Sequence, residues 1–312
     1  MAPTAHPALA PHERAIARFA ELVRTGAVAA PRGDTQLRGD TQLRGDTQLR
    51  CGVDLGTANI VLAVVDEDNQ PVAGALTHST VVRDGVVVDW LGATTAVRGL
   101  KDRLERALGR RLTRASVSIP PGISAGDTAV FANVLRAAEL DVVEVVDEPV
   151  AAARVLGVRD GCVIDVGHGT TGVSILVDGR VARSVDQATG GHHMTLVLAG
   201  AYGMSYADAE AMKKDPDRQD DVLGVIRPTL EKMATIARDA LAGYDPPMVY
   251  LVGGASSFAN APEVFAQVIG RPIARPVEPL YVTPLGVPMT AAGVSGAAAL
   301  SREPVLTSEE AA

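Results

Sequence analysis

Two stretches of this chain repeat one another. "CGVDLGTANIVLAVVD" begins at Cys51 and "CVIDVGHGTTGVSILVD" at Cys162. Aligning Asp54 with Asp165 also aligns Cys51 with Cys162 and Gly56 with Gly167, with one residue inserted in the second copy. Each stretch reads as a buried strand, a glycine turn and a second strand, the pattern of a β-hairpin. Two such units about 110 residues apart predict a duplicated α/β architecture with two lobes facing one cleft.

The bulk numbers fit that reading. A chain of 312 residues is long enough for two cores. Aromatic residues are 3% of the total, so those cores must be built from Val, Leu, Ile and Ala. A formal charge of −8 argues against nucleic acid as a partner, because phosphate contacts need a basic face. The two cysteines, Cys51 and Cys162, each lead into an apolar strand and suit buried free thiols in a reducing compartment. No leader-like pattern and no uninterrupted apolar run of ~20 residues is visible, so a cytoplasmic protein without a membrane span is expected.

Residues 1–50 stand apart. "PHERAIARFAELVRTG" places Ile16, Phe19, Leu22 and Val23 on one helical stripe, with Gly26 as its stop. Such a helix either docks into a partner groove or folds back on its own core. "RGDTQLRGDTQLRGDTQLR" then repeats a polar, turn-prone unit three times and reads as a flexible linker. A first lobe is expected over 51–160, completed by about 281–300, a second over 161–280, and a tail over 301–312.

Within the first lobe, "GALTHSTVVRDGVVVDW" predicts a hairpin around Asp84-Gly85. "ATTAVRGLKDRLERALGR" predicts a helix with Val97, Leu100, Leu104 and Leu108 inward, and "ASVSIPPG" a strand stopped by Pro120 and Pro121. Asp127 is expected to cap the next helix, with Val130, Val134 and Ala138 on its stripe. "DVVEVVDEP" reads as a buried strand, and "VAAARVLG" as a helix ending at Gly157.

The glycine turns carry the chemistry. Tight turns expose backbone N–H groups, and small residues let a phosphate chain come close. An Asp at each strand end would repel bare phosphate, so Asp54 and Asp165 make sense with a cation. Magnesium, which takes oxygen ligands and keeps several waters, is the expected one, held through water. A third turn, Gly253, Gly254, Ala255 and Ser256, follows an apolar strand at 248–252 and presents a surface poor in side chains.

These motifs in this order resemble the superfamily of actin, sugar kinases and seventy-kilodalton heat-shock chaperones. "DLGTAN" resembles its first phosphate motif, "DVGHGT" its second and "LVGGAS" its adenosine motif. Residues 115–157 resemble the heat-shock chaperones in particular. "VVRDGVVVDW", "DEPVAA", "ATGGHHMTLVLAG" and "EKMATI" are similar to the EutJ family of ethanolamine-utilization proteins. The resemblance spans roughly residues 51–295.

It implies an actin-like ATPase fold of two ribonuclease H-like lobes around a nucleotide cleft, with reduced upper subdomains, and ATP or ADP with Mg²⁺ as ligands. Position by position, it implies Asp54 and Asp165 at the Mg²⁺–phosphate centre, with Gly56, Thr57, Ala58 and Asn59 as one phosphate loop. Gly167, His168, Gly169, Thr170 and Thr171 would form the other loop. Gly190 and Gly191 would lie near phosphates and ribose, and Gly253, Gly254, Ala255 and Ser256 against the adenosine. Glu148, at the chaperones' Glu-Pro position, would orient the attacking water, a role a carboxylate near the metal can fill.

Functionally, the resemblance implies a slowly hydrolysing, chaperone-like protein that remodels or assembles a partner. That partner would be ethanolamine ammonia-lyase or a component of a bacterial microcompartment. A small-molecule kinase is the alternative, and a filament-former a third. The sequence departs from the chaperones in showing no counterpart of their catalytic lysine, Lys101 lying in a different-looking helix, and a peptide-binding β-domain like theirs is not expected. His192 and His193 read as helix-start residues near the nucleotide. His168 stands where related proteins carry Gly, and is expected to lend charge to the γ-phosphate, more strongly when protonated.

Overall fold

The computed structural model describes residues 7–30 and 48–290. The GDTQLR repeat, except its last residues, and the tail lie outside them. After the N-terminal helix α1 (Ala10–Thr25), the chain builds two five-stranded sheets with one topology.

The first sheet comprises β1 (Arg50–Leu55), β2 (Asn59–Val65), β3 (Pro71–His78), β6 (Arg114–Ile119) and β7 (Asp141–Asp147), ordered β3-β2-β1-β6-β7. A two-rung hairpin, β4 (Val82–Arg83) and β5 (Val86–Val87), and helices α2 (Trp90–Leu108) and α3 (Ala125–Ala137) lie between β3 and β7 in sequence. Helix α4 (Glu148–Val155) then crosses to the second sheet: β8 (Gly161–Val166), β9 (Thr171–Val177), β10 (Arg180–Gln187), β11 (Val249–Val252) and β12 (Ile273–Ala274). Its order is β10-β9-β8-β11-β12. Helices α5 (Gly191–Tyr202), α6 (Tyr206–Lys214), α7 (Gln219–Ala240) and α8 (Ala261–Ile269) serve this half, and α9 (Val282–Gly286) returns to the middle.

In each sheet the first three strands are antiparallel neighbours and the last two run parallel to the first. The parallel neighbours align the carboxyl ends of β1 and β6, and of β8 and β11, and open α/β sheets bind ligands at such ends. Apolar side chains fill a core on each sheet, and a third core joins them through Val150 and Ala151 of α4 with Val282 and Leu285 of α9. A Cβ at Gly286 would collide with the Ala151 carbonyl, so only glycine lets the two crossing helices meet backbone to backbone. Residues 281–290 thus reach the joint between the halves; the remainder of the expected 281–300 segment lies outside the described residues.

Several sequence expectations need correction. "GALTH" belongs to β3, paired with β2, so the hairpin around Asp84-Gly85 shrinks to Val82↔Val87 and Arg83↔Val86. Its turn has φ of 49° at Asp84 and 78° at Gly85, the left-handed pair that twisted two-residue hairpins demand. Helix α2 starts at Trp90, earlier than expected, because the Asp89 carboxylate accepts from the Gly92 N–H at 2.8 Å. Ser124, not Asp127, caps α3, its Oγ accepting the Asp127 N–H at 3.1 Å. The inward face of α3 centres on Phe131 and Leu135, with Val134 and Ala138 beside them and Val130 half-buried. β7 is an edge strand rather than a buried one, and Val143 is 55% exposed.

Helix α1 folds back onto its own molecule. Ile16, Phe19, Ala20 and Leu22 are buried, Val23 packs against the same core, and Gly26 ends the helix at φ 69°. Phe19 lies over Gly74 of β3 and meets Tyr281 edge to face, at 6.0 Å between ring centres. Arg24 pairs with Glu278 at 2.6 Å, and Glu13 accepts the Val277 N–H at 3.1 Å. Helix α1 therefore spans from the edge of the first sheet to the segment that leads into α9.

Candidate functional site

The two sheets present the carboxyl ends of β1 and β8 to a shared cleft of about 650 Å³, a size typical of small-molecule sites. Asp54 is the penultimate residue of β1 and Asp165 of β8, each one register step before its hairpin turn. The two turns face one another closely: a Cβ at Gly169 would lie 2.7 Å from Thr57 Oγ1. Of the residues expected to form the site, Asp54, Gly56, Thr57, Ala58, Asn59, Glu148, Asp165, Gly167, His168, Gly169, Thr170, Gly191, Gly253, Gly254 and Ala255 line this cleft.

Thr171, Gly190 and Ser256 do not reach it. Thr171 is fully buried and donates to the Thr189 carbonyl at 2.7 Å, and Ser256 donates to Gly253 O at 2.7 Å. Gly190 N–H donates to His193 Nδ1 at 3.1 Å. All three brace the loops from behind. Gly253 holds φ at 89°, and any Cβ there would strike the Asp165 carboxylate, so the third turn needs glycine in order to approach β8.

Four carboxyl groups gather at the base. Asp54 accepts from Ser118 Oγ at 2.7 Å, and Asp165 from the Thr283 hydroxyl. Burial pushes the Asp54 carboxyl up to about 7 and that of Asp165 up to about 6. Glu148 is raised well above its ordinary value by burial and then by the charges of Asp165 and Asp54. Asp186 of β10, hydrogen-bonded to Thr170, is raised to about 6, chiefly by burial. Asn59 and Asp186 each leave a buried Oδ1 without a hydrogen-bond partner.

A base this short of positive charge and of hydrogen-bond donors fits a hard divalent cation. Among the described residues no three His, Cys, Asp or Glu side chains converge as a direct ligand cage, so the fit is to an ion that keeps its waters, between Asp54 and Asp165.

The second loop is fixed by α5. Gly191 N–H donates to Gly167 O at 3.0 Å and His192 N–H to His168 O at 2.7 Å. These bonds satisfy orphan donors of the helix start and draw two carbonyls away from where phosphate would sit. His193 and His192 stand at that helix start; His192 Nδ1 meets the Tyr206 hydroxyl at 2.9 Å.

His168 corrects its expectation. Its φ is not positive, so it fits the loop without strain. Its Nε2, however, meets the Tyr206 hydroxyl at 3.0 Å. Burial, then neighbouring Lys213, lower its pKa to about 4, so the ring is neutral near pH 7 and supplies no cationic charge to a phosphate.

Cationic groups come from elsewhere. Lys101 is buried in α2 beside Glu105 at 3.3 Å, away from the cleft. Lys213 and Lys214 of α6 line the cleft with Glu210. Lys213 Nζ donates to Gly191 O at 2.9 Å, Thr195 Oγ1 at 2.7 Å and Glu210 Oε2 at 2.7 Å. Lys214 pairs with Glu210 at 2.9 Å. These residues, with Ser118, Asp186, Tyr206 and Thr283, escaped the sequence reading. The only local signal was Glu210 placed three and four residues before two lysines on one helical face.

Both buried thiols, Cys51 and Cys162, are free, and burial pushes each up to about 12, as inert packing groups. No helix among the described residues is long and apolar enough to cross a membrane.

Comparison with known proteins agrees with this geometry. Residues 92–220 match the family model of the Hsp70 protein, and residues 162–295 that of cell division protein FtsA. The ethanolamine utilization protein EutJ of Escherichia coli (strain K12) is 41% identical over 237 residues, 76% of this chain and 84% of that protein. A crystal structure of ethanolamine utilization protein EutJ from Carboxydothermus hydrogenoformans matches with a TM-score of 0.79 at 40% identity, covering 90% of this chain and 98% of that one. MreB5 of Spiroplasma citri bound to ADP shares the fold, with a TM-score of 0.63 at 17% identity over 77% of this chain and 94% of that one. Identity and coverage of this order, on a duplicated actin-like fold, place the chain in the EutJ family of ethanolamine utilization proteins.

Proposed function

We propose that this chain binds ATP and ADP with Mg²⁺ in the cleft, hydrolyses ATP slowly, and uses the change between the two states to remodel or assemble a partner of ethanolamine utilization. One observation carries the reading. Two facing glycine loops and a third at Gly253 surround a carboxylate base that lacks counter-charge, in a cavity of nucleotide size. Phosphates favour backbone loops and cations, and the carboxylates favour the cation, so the parts of the cleft together support a metal–phosphate ligand.

In this reading Asp54 and Asp165 would hold the hydrated Mg²⁺, whose charge offsets both the carboxylates and the phosphates. Ser118 and Thr283 hold the two carboxylates in place. Glu148, at the first turn of α4 and on the cleft wall, steers and accepts the proton of the attacking water. Gly253 to Ala255 form the flat floor for the adenosine, and Lys213 and Lys214 supply positive charge at its side. Closure of the halves acts through the α4–α9 joint, where a partner would read the nucleotide state. The family name and the fold together support a chaperone-like role, with ethanolamine ammonia-lyase or a microcompartment shell component as partner.

Phosphate release from purified protein, with equilibrium nucleotide binding measured in parallel, tests this. Glu148→Gln should keep binding and slow release by about 10²-fold. Unchanged release would remove Glu148 from the chemistry, and ATP consumption only on adding a metabolite would favour a kinase instead. Capture of purified ethanolamine ammonia-lyase or shell protein that differs between ATP and ADP supports the partner role; capture of neither in either state contradicts it.

A further inference from the structure

We propose that His168 is a positioning residue: through the hydroxyl of Tyr206 it latches the second glycine loop to helix α6, and this latch sets the rate at which nucleotide leaves the cleft. The inference rests on the nucleotide-binding reading above and concerns how that ligand is retained.

The argument starts from how α6 is held. It is a nine-residue helix, and only Ala209 and Met212 on it are buried. Two small apolar contacts anchor a helix weakly, and segments with few buried apolar contacts open first. Yet α6 supplies Glu210, Lys213 and Lys214 to the cleft wall. Its attachment therefore depends on polar ties to α5, to the second glycine loop and to α7, whose Gln219 Nε2 donates to Lys213 O at 3.0 Å. Glu210 and Lys213 tie it to α5, through Thr195 Oγ1 at 2.5 Å and 2.7 Å and Gly191 O at 2.9 Å. Among the described residues, Tyr206 is the one that bonds it to the loop, through His168 Nε2 at 3.0 Å. The same hydroxyl meets His192 Nδ1 at 2.9 Å.

The chemistry of the three rings makes this a specific joint. A phenol carries one proton, so it donates to one imidazole nitrogen and accepts from the other. The set is satisfied when one facing ring nitrogen accepts the phenol proton and the other carries a proton to give. The lowered pKa of His168 keeps that ring neutral. The rings stand close, His168 to His192 at 5.6 Å and His192 to Tyr206 at 5.2 Å between centres. A glycine at position 168 would leave the Tyr206 hydroxyl without its loop partner. The histidine thus joins the second glycine loop to the adjoining part of the cleft wall that α6 supplies, and a ligand held by both departs when they separate.

Stopped-flow release of a fluorescent ADP analogue from the full-length protein, with Mg²⁺, reads the latch directly. Tyr206→Phe removes only the hydroxyl. It should raise the dissociation rate about tenfold, the size expected for two neutral hydrogen bonds, while the association rate stays the same. His168→Gly should give a similar rise. The double variant should be no faster than either single one, because one joint is broken once. His168→Gln, which can still donate to and accept from the phenol, should restore much of the slow release.

Dissociation at the wild-type rate in Tyr206→Phe, or additive effects in the double variant, would overturn the latch while leaving the nucleotide site standing. Absence of analogue binding to the wild type would instead overturn the nucleotide reading, and the latch with it.

Discussion

Asp165→Asn should make the nucleotide-free protein more stable, with a gain that grows as pH rises through the acid range and is full near neutrality and above. Asp165 is 6% exposed, and its carboxyl titrates at about 6 rather than 3.8, mainly because burial opposes its charge. Between those values the folded chain binds a proton that the unfolded chain has released, so stability falls as pH rises through this window and stays lower above it. Roughly two pKa units at 1.36 kcal/mol each give about 3 kcal/mol of strain at pH 8. Asparagine removes the charge and keeps an acceptor for the Thr283 hydroxyl.

The variant should therefore exceed the wild type by roughly 5 °C in melting temperature at pH 8 for a chain of this size, and by only about half as much at pH 5. The depressed histidines, His12, His168 and His193, push stability the other way with pH. They are common to both proteins and cancel in the difference. Thermal unfolding at the two pH values, with and without Mg·ATP, is the assay. Mg·ATP should stabilise the wild type at pH 8 and not the variant. A variant less stable than the wild type at pH 8, yet still stabilised by Mg·ATP, would refute the claim that this carboxylate is held in strain for a cation.

Thr283→Ala removes the donor that lowers the Asp165 pKa, and should weaken Mg·nucleotide binding by about tenfold or more, measured by titration calorimetry. Phe19→Ala should cost about 3–5 kcal/mol in urea unfolding, because Phe19 is fully buried between Gly74 and Tyr281. A loss below about 1 kcal/mol would show that α1 does not belong to the core. Arg24→Ala should change stability by less than about 1 kcal/mol despite its short bond to Glu278, since the Arg24 side chain is 54% exposed and water screens the pair.

The duplicated hairpins and the three glycine turns were legible because their signals are local: an apolar strand running into Gly and, in the two hairpins, an Asp two residues before that Gly. The amphipathic stripe of α1 was equally plain. What covers it was not, because periodicity identifies an apolar face and says nothing of its partner. The edge position of β7 escaped for a related reason, since a run of valines reads as buried wherever the strand lies in the sheet.

Within the site, Ser118 and Thr283 lie 64 and 118 residues from the aspartates they hold, so only the fold brings them together. Lys213 and Lys214 sit on an ordinary charged helix until α6 is laid against the cleft. His168 was visible as a departure from glycine, but its direction depends on Tyr206, 38 residues away.

The central claim, that the carboxylate base between the facing glycine loops holds a metal–nucleotide ligand, is tested most directly by calorimetric titration of the full-length protein with ATP and ADP. Titrations should be run with and without Mg²⁺ and repeated on Asp165→Ala. Saturable Mg²⁺-dependent binding to the wild type, lost in the variant, is the predicted result. A folded wild type that binds neither nucleotide, or an Asp165→Ala variant that binds both as the wild type does, would contradict it.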